Sequence, residues 1–163
     1  MIHLSHPHRN KDLPTGGKQM EYKRSGSDIL VRLDKGDKIK ECLTELAKAE
    51  QIQTGFVSGI GAVDQAELSY FLTEDQRYQT KKFEGAFEVL SLKGTLSIYD
   101  KKPHQHLHII LGQEDYSTIG GHLEEARVNI TLELDVKVLV NLGVKRETDP
   151  DLNIQALKFQ DME

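Results

Sequence analysis

The longest regular alternation of apolar and polar positions in the chain lies in RVNITLELDVKVLVNL, where Val128, Ile130, Leu132, Leu134, Val136, Val138 and Val140 share one face. Asn129, Thr131, Glu133, Asp135 and Lys137 share the other. Period two over this length predicts a long strand with one buried face. DILVRL, residues 28–33, reads as a shorter strand rich in branched side chains and is followed by a turn at Gly36. The pattern then changes period. Ile39, Leu43, Leu46 and Ala47 form one stripe with Cys42 beside it, and Lys38, Lys40, Glu41, Glu45 and Lys48 mark the solvent side. This spacing predicts a helix to about Glu50, with Asp37 placed to cap its first turn. TGFVSGIGAVDQAELSYF, FEGAFEVLSLKGTLSIY and PHQHLHIILG supply further strands. One good helix against six or seven strands predicts the α+β class: a large curved, mostly antiparallel or mixed β-sheet packed with one main α-helix.

Length and charge narrow the picture. The 163 residues suit one domain, 20–163, and contain no apolar run near the ~20 residues of a membrane helix. The first nineteen residues are polar, carry Pro7, Pro14 and the pair Gly16 and Gly17, and lack either apolar period. They read as a disordered leader or tag-like tail with no targeting character, so a cytoplasmic protein is expected. The leader holds Arg9, Lys11 and Lys18 against Asp12. Removing that +2 from the whole-chain −5 leaves −7 on residues 20–163. An acidic body without a basic stripe makes a poor partner for nucleic acid, and the adjacent Lys81 and Lys82 of QTKKFEG read as a solvated turn. Gly59 and Gly61 of SGIGAV lack the spacing and lysine of a phosphate loop and point instead to a turn or bulge between strands. Cys42, the single cysteine, has no neighbouring base and reads as a small core residue.

The chemistry concentrates in PHQHLHIILGQEDYSTIGGH, residues 103–122, which holds four of the seven histidines. On a strand, His104, His106 and His108 share a face while Leu107, Ile109 and Leu111 point to the core. Neighbours of that kind lie about 6.5 to 7 Å apart at Cα, near enough to share an ion. The polar GQEDYS is a turn, and the chain returns through TIGGH to bring His122 to the same wall. Two readings fit. Either the imidazoles sit exposed or hydrogen-bonded on a sheet face, or His106, His108 and His122 give a divalent ion three nitrogen ligands. The second reading leaves a fourth place for water, a substrate carboxylate or His104. Neutral imidazole favours zinc, with nickel, cobalt or copper as substitutes, and protons compete for the same nitrogens below about pH 6.5.

FVSGIGAV, GAFEVLSLKGTLS, PHQHLHIILG and GGHLEEARV follow in that order a strand and helix like RLDKGDKIKECLTELAKAEQI. In this order they resemble the PPC domain, also called DUF296, over about Met20 to Phe159. Members of that family stand alone in bacteria and archaea, and in plants follow an AT-hook in nuclear DNA-binding proteins. The resemblance implies an α+β homotrimer with a histidine cluster able to hold zinc at or near the subunit contacts. Its H-x-H pair falls on His106 and His108, its G-G-H on Gly120, Gly121 and His122, and its FEIL-like core on Phe87, Glu88, Val89 and Leu90. A strand glutamate falls on Glu133. The chain has no R-G-R-P AT-hook, and Ala86 stands where plant members have arginine. Three classes of function follow: a trimeric metal-binding module that is either an enzyme or not, a DNA-associated protein, and a structural or regulatory oligomer. An enzyme would use a zinc-activated water on a small polar substrate, with Glu88 or Glu133 as general base; the same glutamates read equally as salt-bridge or sheet-face residues.

Overall fold

Met20 to Phe159 are the residues that the computed structural model describes; the expectation for the leader lies outside them. Along the chain come β1 (Glu21–Ser25), β2 (Asp28–Asp34), α1 (Ile39–Ala49), β3 (Gly55–Leu72), β4 (Arg77–Tyr99), β5 (Lys102–Gly112), β6 (Thr118–Val138), β7 (Val144–Thr148) and β8 (Gln155–Phe159). The eight strands among the described residues exceed the six or seven expected by one or two. Among the described residues no helix is long and apolar enough to cross a membrane.

Six strands form one antiparallel sheet in the order β1-β2-β6-β3-β4-β5, and β7 pairs with β8 as a separate ribbon. The long β6 organises the sheet. One of its edges pairs with β3 from His122 to Val138. The other takes β2 between Thr131 and Lys137 and β5 between Thr118 and His122. The second pairing closes β3, β4, β5 and β6 into a barrel-like curl, which removes free edges from the centre of the sheet. The gap on β6 between β2 and β5 is occupied by the start of α1, where Lys38 bridges to Arg127.

The helix buries Ile39, Leu43, Leu46 and Ala47, the stripe read from the sequence. They pack with Leu107, Leu111, Leu123 and Leu134 in a continuous core, and full burial of a leucine contributes roughly 1.5–3 kcal/mol. Asp37 does not cap the helix. Its carboxylate accepts the Asp34 N–H at 2.8 Å and closes the turn after β2. Glu125, brought across on β6, accepts instead from the Lys40 and Glu41 amides at 2.9 and 3.3 Å. Cys42 is half-buried on the helix flank, where burial pushes its thiol up to about 12, so it stays protonated.

One expectation is met and others change along the sheet. Gly59 and Gly61 mark a bulge in an otherwise continuous β3. At Gly61 the backbone of Thr131 and Leu132 comes so close that a Cβ would overlap it. Leu90, read as core, sits at a register shift between Val89 and Ser91 and is 54% exposed. Ile130 turns outward where the pairing of β6 with β3 slips between Gly61 and Val63, and Val140 lies beyond the end of the strand. Lys81 and Lys82 lie within β4 and not in a turn, because β3 and β4 continue as a hairpin to Leu72 and Arg77.

Candidate metal centre

β5 alternates as its sequence requires. Gln105, Leu107, Ile109 and Leu111 are buried, while His104, His106 and His108 face outward. The inward side is fastened by Gln105, whose amide donates to the Thr44 hydroxyl of α1 at 2.6 Å. On the other edge, β4 approaches so closely at Gly94 that a Cβ would overlap the His106 carbonyl oxygen. Past Gly112 the chain turns tightly: the Gln113 amide bonds the Ser117 carbonyl, and the Asp115 carboxylate accepts from the Ser117 N–H and hydroxyl. That turn sets the register that places His122 directly opposite His108. A β-hairpin is thus the device that joins the H-x-H pair to the third histidine.

The three side chains converge. One ring nitrogen from each of His106, His108 and His122 lies within 4.8 Å of the others. The Nε2 atoms of His106 and His108 are 3.3 Å apart, and the ring centroids are separated by 5.2 to 5.5 Å. His104 shares the face but is not part of this group; its ring packs against Tyr99 at 5.9 Å. His122 Nδ1 is buried without a hydrogen-bond partner among the described residues, an orphaned lone pair or N–H of the sort that buried polar groups seldom tolerate. Burial, reinforced by Arg146, lowers His104 and His106 to about 4, and burial lowers His122 against the opposing pull of Glu124. At neutral pH these imidazoles are therefore neutral and hold free lone pairs. Three converging ring nitrogens, with a buried His122 Nδ1 that has no partner among the described residues, fit a zinc-class ion.

Several neighbours escaped the reading of the sequence. Glu124 stands at a register shift of β6 and brings its Oε1 to 3.9 Å from His122 Nε2, while accepting the hydroxyl of the buried Ser69 at 2.7 Å. Ser69 also shares a hydrogen bond with Thr80, and Tyr78 lies 5.4 Å from the His122 ring. Period two along GGHLEE would have found Glu124 beside His122. No local signal announced Arg146, which reaches this face from β7. The two glutamates singled out earlier lie elsewhere. Glu88 is exposed between Ala62 and Gly112, and Glu133 is exposed near the opposite end of β6, between Arg32 and Ile60.

The Plants and Prokaryotes Conserved (PCC) domain model matches residues 20–140. A candidate DNA-binding protein from Bacteroides thetaiotaomicron is 30% identical, with the match covering 87% of this chain and 99% of that one at a TM-score of 0.83. A metal-containing protein from Archaeoglobus fulgidus is also 30% identical, over 89% of this chain and all (100%) of that one, with a TM-score of 0.77. A plant- and prokaryote-conserved (PPC) protein from Pyrococcus horikoshii is 26% identical over 91% and 99% of the two chains, with a TM-score of 0.76. No curated protein matches this chain.

Proposed function

The chain belongs to the Plants and Prokaryotes Conserved domain family, and from that membership we propose that it is a self-associating metal-binding module in which His106, His108 and His122 hold one zinc-class ion. The observation that carries this reading is the convergence of three ring nitrogens within 4.8 Å, one of the contributing rings having a buried nitrogen with no hydrogen-bond partner among the described residues. The 30% identical metal-containing relative supports it. Bound there, such an ion supplies Lewis-acid chemistry at an open position. The chain's own part is to present the His106 and His122 nitrogens unprotonated beside His108 and to orient His122 through Glu124, itself held by Ser69. If the module is an enzyme, Glu124 is the carboxylate placed to accept a proton near the histidines, and Glu88 and Glu133 are not.

Elemental analysis of untagged protein tests the reading. About one zinc per chain is expected for the wild type, and a loss of roughly 10-fold or more in affinity for His106→Ala and His122→Ala. A wild type without stoichiometric transition metal, or variants that keep it fully, would refute it.

DNA association is the second reading, favoured by the description of the Bacteroides thetaiotaomicron relative. The net charge of −5 acts against it, since non-specific affinity derives from lysine and arginine contacts to phosphate. Titration of duplex DNA is expected to give weak binding at physiological salt. Tight binding that weakens steeply as salt is raised would put this reading first.

A further inference from the structure

Arg146 is 7% exposed, and among the described residues no carboxylate pairs with it. Its Nε donates to Ser97 Oγ at 2.9 Å, one terminal nitrogen donates to the Gln155 carbonyl, and the other to Thr95 Oγ1 at 3.0 Å. Three of the five guanidinium N–H groups are thereby used, and two are left to donate. A buried cation normally has an anionic partner, because its desolvation is costly and hydroxyls return only part of the loss.

The position of this charge gives it meaning. Thr95 stands opposite His106 and Ser97 opposite His104 in the β4–β5 register, so the guanidinium lies on the histidine-bearing face. Lys40 approaches from α1, where its ammonium donates to the Leu123 carbonyl and likewise lacks a carboxylate among the described residues. Glu124 is the carboxylate beside the triad, and it is engaged by Ser69. Arg146 and Lys40 thus stand against Glu124 on this face, the next carboxylate, Glu125, being engaged by the amides of Lys40 and Glu41, in a chain whose net charge is −5.

We propose that Arg146, aided by Lys40, forms an anion seat beside the His106, His108 and His122 cluster, and that the ligand of this site is a small carboxylate. Two N–H groups left on the planar guanidinium suit the two oxygens of a carboxylate, the bidentate pairing that the fork favours. The inference rests on the metal reading for the strength of binding, because a bound dication adds the largest local charge. The seat itself is made by side chains already in place.

Malonate serves as the probe and neutral malonamide as the control, each titrated into zinc-loaded and metal-free protein. Binding is read by calorimetry and by the ¹⁵N shift of the Arg146 Nε resonance. The expected result is that malonate moves that resonance in both forms, binds the zinc form about 10-fold or more tightly than the metal-free form, and outcompetes malonamide. Arg146→Lys should weaken malonate about 10-fold while zinc content stays at the wild-type value, since the variant keeps the charge but loses the fork. An unmoved resonance in metal-free wild type, or equal malonate affinity in wild type and Arg146→Lys, overturns the seat. Phosphate binding more tightly than malonate overturns the carboxylate assignment. Failure of the metal reading appears separately, as absent zinc in wild-type protein whose Arg146 resonance still responds to malonate. The wild-type resonance keeps the proposal open to refutation even where Arg146→Lys loosens the β7–β8 ribbon.

Discussion

At the scale of single residues, the site is defined by how its imidazoles are kept free of protons. His104 and His106 titrate near 4 in the folded protein because burial and the neighbouring Arg146 oppose a second positive charge. In the unfolded chain they titrate near the free-imidazole value of about 6.5. Between those values the unfolded chain binds more protons than the folded one, so the stability of metal-free protein should decline as pH falls across this window and level off below it. Urea midpoints measured at about pH 7, 5.5 and 4 should therefore fall in that order, and His104→Gln with His106→Gln should flatten the decline. A slope unchanged in the double variant would show that other groups govern it. For metal uptake the consequence is direct: His106 offers its nitrogen at pH values where a free imidazole would already be charged, so protons displace the ion at lower pH than the 6.5 expected from unperturbed histidine.

Among the elements, the β5–β6 hairpin and the start of α1 fix the site from opposite sides. The hairpin sets His122 against His108 through a five-residue connection, Gln113 to Ser117, closed by its own hydrogen bonds. The helix is anchored at its N-terminus by a residue remote in sequence. Glu125 accepts two first-turn amides, and its position also favours the positive end of the helix dipole. Glu125→Ala should lower stability by about 1 kcal/mol, a shift of roughly 2–4 °C in Tm for a chain of this size, with zinc content unaltered. Thermal denaturation followed by circular dichroism, beside elemental analysis, checks both halves. A loss of zinc in step with stability would mean that Lys40 and the helix start belong to the site more closely than the hydrogen bonds indicate. The Gly94 contact acts in the same sense at β4: strand spacing there is set by the lack of a side chain, which lets Thr95 and Ser97 stand close to His106 and His104.

For the whole molecule, the outer face of the sheet is unusually apolar for a surface open to water. Leu30, Phe56, Ile60, Leu90, Ile110 and Ile130 are each about half exposed or more and lie on β2, β3, β4, β5 and β6. Apolar patches of that kind mark surfaces that meet another protein. Combined with the homotrimer that the resemblance implies, this leads to the expectation that the chain assembles with copies of itself. Light scattering at micromolar concentration should return three times the 18.4 kDa chain mass. A monomer would remove the assembly, while Leu90→Glu or Ile60→Glu should shift the mass downward if this face is the contact, since each would bury a charge without a partner.

What the sequence determined by itself was whatever depends on local period. The inward leucines and outward histidines of β5, the buried stripe of α1 and the long alternation of β6 follow from side-chain spacing of two or 3.6 residues, which the chain carries wherever it folds. The pairing of His106 with His108 belongs to this class, and so does Glu124 beside His122, a neighbour legible from the i+2 rule. Tertiary structure decided everything that rests on register or on contact between distant segments. The outward turns of Leu90 and Ile130 follow from bulges that no apolar pattern announces. The helix cap passed from Asp37 to Glu125 because β6 runs past the start of α1 and its carboxylate meets two amides where Asp37 had a closer partner in Asp34. Arg146 became part of the histidine face because the β7–β8 ribbon lies over β4, a long-range packing choice that places an arginine, otherwise indistinguishable from any surface cation, where two hydroxyls and a carbonyl are its hydrogen-bond partners among the described residues.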